Sequence, residues 1–356
     1  MDLADYQIRA IDLDDEADVA DVRRFLAAHG FDYDAAAVDE TLQLETVSGE
    51  LAGVGSRQAN VLKYVCVAER HRETAAAARL VTALSDRALR AGHDRVFVFT
   101  RPTTARLFAG LGFAVVATAP PLFALLEFGY ASIADFQKKL AARRRRFEGR
   151  RVAGIVVNCN PFTRGHRHLV ETAAAREDTV YVFVVEEDRS LFPFSVRFEL
   201  VRRGLADLGN VEVLAGGPYI VSAATFPTYF LKSEQVGDVA RGQAELDATI
   251  FAERIAPPLG IARRYVGTEP TCATTAAYNA ALKRILPPRG VDVTEVPRLA
   301  ADGAGDVISA SKVRRAIWER RVDQLARYLP DVTRAYLSSE AARPIIRRIQ
   351  ALPRPA

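Results

Sequence analysis

Cysteine is scarce in this chain of 356 residues, and its three cysteines lie far apart with no C-x-x-C pair. This spacing argues against a disulfide framework or a cysteine-built metal site, so we expect Cys66, Cys159 and Cys272 to be free thiols. Long apolar runs are absent as well, since none approaches the roughly 18 residues that a membrane-spanning helix needs. The sequence therefore predicts a soluble protein without a membrane partner.

An excess of either charge sign is also lacking, because 48 basic residues are balanced by 44 acidic ones and the formal net charge is +4. So small an excess does not predict a nucleic-acid partner. The densest basic run, Arg143–Arg146, is interpreted as part of a solvated linker helix, with a patch for an anionic partner as the alternative. The acidic start, Met1–Asp5, resembles neither a secretory signal nor a transit peptide, which favours a cytoplasmic protein.

The length and the patterning of the chain predict two domains. From Arg9 to Leu126, short extended runs alternate with amphipathic helices, which predicts an α/β domain over residues 1–130. Residues 131–150 lose the extended pattern and gain charge, so we interpret them as a basic linker helix. A second domain is predicted over residues 151–340, and a C-terminal tail over 341–356.

The second domain opens on a continuous apolar run, Val152–Val157, of the kind found in a parallel sheet that is covered on both faces. Helices then alternate with further extended runs, at Thr179–Val185, Val211–Leu214, Arg264–Val266 and Asp292–Val296. This alternation predicts a doubly wound parallel sheet, whose ligands bind at the carboxyl ends of the strands.

The turn after the first of these strands carries a chemical motif. The strand ends at Asn158, the chain turns through Gly165, and a helix opens at His166. A helix N-terminus attracts phosphate, and Thr163 and His166 lie where a triphosphate would bind. This pattern resembles the T/H-x-G-H signature of the nucleotidylyltransferase superfamily. Taken alone, it leaves a nucleotide site and an ordinary capped turn equally open.

A second motif lies near the end of the same half. Ser309 is a plausible N-cap, and Ser311, Lys312 and Arg314 add hydroxyl groups and positive charge to the first helical turn. Cations at this end oppose the helix dipole unless an anion compensates them. The stretch resembles the I-S-x-S-x-V-R signature of the same superfamily, whereas an ordinary capped helix would explain Ser309 but not the charge. Together the two motifs predict a nucleotide site.

Longer stretches narrow the resemblance to one family. They are Asn158–Arg167, Gly217–Ser222, Ala224–Lys232, Val266–Pro270, Tyr278–Asn279 and Ile308–Arg314. Together they resemble the citrate lyase ligase family, which carries an acetyltransferase-like (GNAT) domain ahead of its nucleotidylyltransferase domain. The resemblance covers nearly the whole chain and implies an α/β fold class, with a GNAT-like N-terminal domain and a doubly wound, Rossmann-like C-terminal domain of the HIGH type.

The same resemblance implies a reaction. Acetate attacks ATP to give acetyl-adenylate and pyrophosphate, and the acetyl group passes to the prosthetic-group thiol of the citrate lyase acyl carrier protein, which activates the lyase. Magnesium is expected because the charge of the triphosphate must be neutralised, but no carboxylate cluster identifies its ligands.

The resemblance also implies roles for particular residues. Thr163 and His166 are the candidate catalytic residues. The candidate ATP and phosphate contacts are Asn160, Phe162, Gly165, Gly267, Glu269, Ser309, Ser311 and Arg314. Possible substrate contacts are Arg197, Thr225 and Tyr229, although Arg197 fits a helix-surface arginine equally well and the other two fit core positions. His168 is set aside, because a residue two positions along a helix faces away from His166.

The first domain departs from acetyltransferases at the loop that normally binds acyl-CoA. Where such domains carry R/Q-x-x-G-x-G/A, this chain has Arg72–Ala77, with alanine at the first glycine position. We therefore expect a scaffold, or a docking surface for the carrier's prosthetic arm, rather than a second active site. Two alternatives remain open for the chain as a whole: a stand-alone adenylyltransferase acting on a phosphate-bearing metabolite, and a binding protein that senses nucleotide or acyl-CoA.

Overall fold

The computed structural model describes residues 6–72, 74–144, 151–186, 190–222, 236–269, 273–301 and 306–352. The chain divides into two compact units, Met1–Phe136 with Ala223–Thr249, and Gln137–Ser222 with Ile250–Ala356. Within the described ranges, no helix is both long enough and apolar enough to cross a membrane. Cys66 and Cys159 are buried free thiols, and Cys272 lies outside the described residues.

The first unit is built on a seven-stranded sheet in the order β1-β2-β3-β4-β5-β7-β6. Its strands are β1 (Tyr6–Ala10), β2 (Glu40–Thr46), β3 (Leu51–Gln58), β4 (Val61–Val67), β5 (Arg95–Thr100), β6 (Ala114–Ala119) and β7 (Phe123–Gly129). β4 and β5 run parallel, and every other neighbouring pair is antiparallel. Helices α1 (Glu16–Ala28), α2 (Ala76–Arg90) and α3 (Pro102–Gly110) connect them. The predicted GNAT-like α/β fold is confirmed.

Helix α7 (Val236–Ile250) belongs to this first unit up to Thr249. Its Gly242 lies so close to Phe123 of β7 that an added Cβ would overlap the aromatic ring. The sequence placed these residues within a second domain over 151–340. The predicted bounds miss this return of the chain, because it depends on a close packing contact between residues that are distant in sequence.

Helix α4 (Ile133–Arg143) crosses the division between the units and lies within the predicted linker 131–150. The end of that linker, residues 145–150, falls outside the described residues. The structure shows a helix as far as Arg143, and the linker over 131–150 stays a prediction.

The second unit contains a five-stranded, wholly parallel sheet in the order β10-β9-β8-β11-β12. The strands are β8 (Val152–Val157), β9 (Thr179–Val184), β10 (Val211–Ala215), β11 (Arg263–Gly267) and β12 (Asp292–Val296). Helices α5 (Arg164–Ala174), α6 (Phe194–Gly204), α8 (Ala256–Leu259) and α9 (Ala273–Ile285) accompany them, and one π-helical turn, Phe251–Ile255, precedes α8. The predicted doubly wound sheet is confirmed. The strand order reverses between β8 and β11, which is where ligands bind in such sheets.

The C-terminal part adds α10 (Ala310–Trp318), α11 (Asp331–Leu337) and α12 (Arg343–Ala351). Ile345 and Ile349 of α12 are buried in one cluster with Val313 and Ile317 of α10. Residues 341–356, which the sequence described as a tail, therefore include a helix that covers the core beside the second motif. Apolar residues four apart place both isoleucines on the same face of that helix.

Candidate active site

The loop that links β8 to α5 is fixed by a reciprocal cap. Thr163 is the N-cap of α5, and its hydroxyl accepts a hydrogen bond from the backbone N–H of His166 at 3.4 Å. In return, the backbone N–H of Thr163 donates to Nδ1 of His166 at 3.1 Å. Such a capping box satisfies two otherwise unpaired donors at the start of a helix. The two candidate catalytic residues are thereby locked to each other.

The cap also determines the protonation of His166. Because Nδ1 accepts from a backbone N–H, the neutral ring carries its proton on Nε2, which can then donate to a ligand. Burial, reinforced by the positive charge of Arg298, lowers the pKa of His166 from 6.5 to about 4. At neutral pH the imidazole is therefore an uncharged hydrogen-bond donor.

The residues before Thr163 support the loop from beneath. Phe162 is buried with 1% of its surface exposed, its ring stacks on His166, and its carbonyl accepts from the Thr333 hydroxyl at 2.9 Å. Cys159 is also buried, and burial raises the pKa of its thiol, so the thiol stays protonated. The Asn160 side chain accepts from the backbone N–H of Phe192 at 3.1 Å. These contacts make Phe162 and Asn160 supports of the loop.

The second motif begins α10. The Ser309 hydroxyl caps the helix by accepting from the backbone N–H of Lys312 at 3.3 Å, as predicted for an N-cap. The charge of Lys312 is compensated by its neighbours, because its ammonium group donates to Asp306 at 2.5 Å and to the Val307 carbonyl at 2.7 Å. Part of the positive charge that the sequence left unexplained is thus compensated within the protein.

The two motifs meet. Arg314 of α10 donates through Nη1 to the Asn160 carbonyl at 2.7 Å and through Nη2 to the Ser311 hydroxyl at 3.0 Å. At Gly165 an added Cβ would lie 3.4 Å from the carbonyl oxygen of Ile308, an ordinary contact distance, so the starts of α5 and α10 lie side by side. Two helix N-termini therefore border the same space, and each supplies backbone N–H groups for an anion.

That space is a cavity of about 500 Å³ at the carboxyl ends of β8 and β11. Seven of the candidate residues line it: Thr163, Gly165, His166, Gly267, Glu269, Ser309 and Ser311. Glu269 has only 5% of its side chain exposed and forms an ion pair with Arg298, whose Nε also donates to the Thr268 carbonyl at 2.7 Å. The cavity thus combines helix N-termini, hydroxyl groups, a neutral imidazole and a compensated carboxylate.

This cavity lies within a stretch that is known from other proteins. Residues 152–337 match the family model described as the citrate lyase ligase C-terminal domain. The chain belongs to the citrate lyase ligase family.

Curated members of the family match over most of their length. The citrate (pro-3S)-lyase ligase of Haemophilus influenzae is 38% identical over 298 residues, which are 82% of this chain and 85% of that protein. The ligase of the same name from Klebsiella pneumoniae is 36% identical, over 89% of this chain and 91% of that protein. The Escherichia coli ligase is 33% identical, over 90% of each. The similarity therefore extends beyond the C-terminal domain into the GNAT-like unit.

In this citrate lyase ligase family member, not every candidate residue reaches the cavity. Arg197 is completely buried, and its guanidinium donates to the carbonyls of Phe192, Asn158 and Val185 and to the Asn158 side chain, at 2.7–2.9 Å. It ties α6 to the ends of β8 and β9 and does not line the cavity. Thr225 and Tyr229 lie outside the described residues.

Among the residues that line the cavity without having been candidates, three are basic. His168 lines the cavity in addition to His166, because the cavity extends along α5 as far as Leu169. Arg298 was missed because nothing in its local sequence marks it. Arg264 was included only as part of a predicted strand, yet a charged residue within a run that is otherwise typical of a buried strand is a signal that could have found it.

Proposed function

We propose that this chain is an AMP-forming ligase that activates acetate with ATP and transfers the acetyl group to the prosthetic-group thiol of the citrate lyase acyl carrier protein. One observation carries the proposal. The two nucleotidylyltransferase motifs, far apart in sequence, border one cavity and are joined there by the hydrogen bond from Arg314 to the Asn160 carbonyl. Family membership favours the citrate lyase carrier as the acceptor.

The chemistry needs two steps. A carboxylate oxygen of acetate attacks the α-phosphorus of ATP, the bond from that phosphorus to the bridging oxygen breaks, and pyrophosphate leaves. The carrier's thiolate sulfur then attacks the acetyl carbon, and AMP departs with the electron pair of the C–O bond. Neither step calls for a nucleophile from the protein, so its contribution is positioning and stabilisation of charge.

The motif residues fit these needs. Nε2–H of His166 and the N-terminal amide groups of α5 would donate to the α-phosphate oxygens, where charge moves during the attack. Ser309, Ser311 and the start of α10 would hold the departing pyrophosphate. Gly165 brings the start of α5 close to Ile308, two residues before α10 begins, so both helix N-termini can act on one ligand.

Magnesium would neutralise the charge of the triphosphate. In the described part of the chain no group of three or more His, Cys, Asp or Glu side chains could hold a metal ion. Glu269 lines the cavity but is paired with Arg298. We therefore propose that the ion is held mainly through phosphate oxygens and water, as is common for Mg²⁺.

The proposal is tested by acetate-dependent exchange of labelled pyrophosphate into ATP, because exchange requires reversible formation of acetyl-adenylate. We expect exchange with acetate in the absence of any carrier protein. Exchange only with a phosphate-bearing acceptor would indicate a stand-alone adenylyltransferase, and ATP binding without exchange under any acceptor would indicate a nucleotide-sensing protein. Transfer of labelled acetyl to the carrier protein, with release of AMP, tests the second step.

A further inference from the structure

Arg264 stands out among the buried charged residues of the second unit. It lies in β11, lines the cavity and has only 2% of its surface exposed. Its Nε and Nη1 atoms are buried, and no described residue forms a hydrogen bond with either of them. Arg197 is the contrast within the same unit, since it is equally buried and makes four hydrogen bonds to carbonyl oxygens.

A buried charge without hydrogen-bond partners is costly, so its surroundings indicate what it is for. The guanidinium carbon of Arg264 lies 4.1 Å from the centre of the Phe251 ring. This contact supports the flat face of the guanidinium and leaves its in-plane N–H groups without a described acceptor. In-plane N–H groups are the ones that bind a carboxylate through two parallel hydrogen bonds.

The backbone around Arg264 is arranged to admit Phe251. Arg264 pairs in register with Gly154 of β8, and a Cβ at Gly154 would lie 2.9 Å from the edge of the Phe251 ring. The glycine therefore makes room for the ring beneath the guanidinium.

The backbone of Arg264 lies below the ends of the strands, and its long side chain reaches into the cavity from there. Its partner Gly154 precedes the end of β8 by three residues. Val156 and Val266 lie two residues further along the same two strands and line the cavity on the same face of the sheet. A cation without a described hydrogen-bond partner for Nε and Nη1, beside apolar side chains, fits a small monoanion with a short alkyl group better than a triphosphate, which needs several donors.

We infer that Arg264 binds the carboxylate of the acid that is adenylated, and that Phe251 holds the guanidinium flat for this contact. The inference rests on the proposed function, since it assigns the acid subsite of the same cavity. The substrate class is a short, unbranched monocarboxylate. The carboxylate would supply the hydrogen-bond acceptors that no described residue provides for Nε and Nη1 of Arg264.

The test compares Arg264→Met and Arg264→Lys with the wild-type protein in the pyrophosphate exchange assay. We expect Arg264→Met to raise the KM for acetate by about 10-fold or more with the KM for ATP nearly unchanged, because a charge-assisted pair is lost. Arg264→Lys keeps the charge but loses the planar pair of N–H donors, so its KM for acetate should lie between those of the wild type and Arg264→Met. An unchanged KM for acetate in Arg264→Met overturns the inference.

Thermal unfolding supplies a readout that does not depend on activity. Sodium acetate should raise the unfolding temperature of the wild type above that in sodium chloride of equal ionic strength, and this rise should vanish in Arg264→Met. Without ligand, Arg264→Met should unfold at or above the wild-type temperature, because an uncompensated buried charge is removed. The matched variant Arg197→Met should unfold well below the wild-type temperature, because it loses the hydrogen bonds from the guanidinium to four carbonyl oxygens.

The outcomes separate the two proposals. An acetate-induced rise that depends on Arg264, in a protein that shows no exchange, would uphold the carboxylate site and reject the adenylation. Acetate-dependent exchange with the same KM for acetate in Arg264→Met would uphold the adenylation and reject Arg264 as the carboxylate site. If Arg264→Met loses the thermal shift caused by a non-hydrolysable ATP analogue and keeps that caused by acetate, Arg264 binds phosphate and the inference is overturned.

Discussion

His166 is held in one protonation state by the residue that caps its helix. Nδ1 accepts from the Thr163 backbone, and burial next to Arg298 opposes a second proton. In the proposed reaction, a neutral donor at the α-phosphate would gain strength as negative charge builds on the oxygens, so the contribution of His166 would be greatest in the transition state.

We therefore expect His166→Ala to lower the adenylation rate by roughly 10²-fold or more while the Kd for ATP changes little. Single-turnover release of pyrophosphate gives the rate, and calorimetry with a non-hydrolysable ATP analogue gives the Kd. His168→Ala is the matched control, since His168 lines the same cavity but lies outside the cap. Equal losses in rate and in binding would mean that His166 only binds the nucleotide.

The low pKa of His166 predicts how stability responds to acid. Its pKa of about 4 in the folded protein lies below the ordinary value of 6.5. Between these pH values His166 is protonated in the unfolded chain but neutral in the folded protein. The stabilisation is complete above about pH 6.5 and is lost as the pH falls towards 4. Denaturant unfolding measured from pH 7 to pH 4 should show a larger loss of unfolding free energy for the wild type than for His166→Gln. If NMR shows that the His166 imidazole of the folded protein titrates near pH 6.5, the prediction is wrong.

At this scale the sequence predicts local roles and misses those set by packing. Ser309 acts as a cap as expected, and Thr163 forms the cap of the alternative that the sequence left open, because a cap depends on residues three positions apart. Arg197 has the sequence context of an ordinary helical arginine, and only the approach of the ends of β8 and β9 buries it. Arg264 depends on Phe251 and on a glycine in another strand, so its environment could not be predicted from its neighbours in sequence.

Among the helices, α6 shows how a single position supports the active-site loop. Its last residue is Gly204, and a Cβ there would overlap the buried ring of Phe162. Phe162 precedes the Thr163 cap directly and stacks on His166. Helix α6 therefore limits the position of the loop between β8 and α5, although none of the residues of α6 lines the cavity.

Gly204→Ala should destabilise the protein by about 1–3 kcal/mol, because overpacking against Phe162 outweighs the roughly 1 kcal/mol that alanine gains over glycine in a helix. Gly110→Ala is the matched control, since Gly110 also ends a helix, α3, and an added Cβ would meet no atom within 4 Å. Urea unfolding measures both variants. Equal stability of the two would show that the Phe162 ring moves aside at no cost.

The elements of the second unit were easier to predict than those of the first. Strands β8 and β9 are continuous apolar runs, which a parallel sheet buries on both faces. Strand β3 instead contains Gly53 and Gly55, and a Cβ at Gly55 would overlap Leu84 of α2. Its extended form depends on the helix that packs over it, so the local pattern is weak.

On the scale of the whole molecule, the first unit is completed by a helix from much later in the chain. Apart from its terminal Ile250, α7 belongs with residues 1–136, and its Gly242 fits against Phe123. A domain boundary at residues 131–150 therefore leaves out a helix that packs on the first unit.

A fragment of residues 1–150 should be less stable than a fusion of residues 1–136 to 223–249, by at least about 2 kcal/mol, because burial of one Phe side chain alone contributes that much. The uncovered apolar surface should also bind the dye ANS, and the fusion should not. Thermal unfolding and dye fluorescence of the two fragments test this. Identical stability and no dye binding by the shorter fragment would show that α7 is dispensable for the unit.

The late position of α7 also sets an order of events during synthesis. The ribosome synthesises β8, β9 and β10 before it reaches Thr249, so most of the parallel sheet of the second unit emerges before the last helix of the first unit. At the usual speed of translation this interval is on the order of ten seconds. During that time the face around Phe123 is open to chaperones, although the first unit begins at the N-terminus.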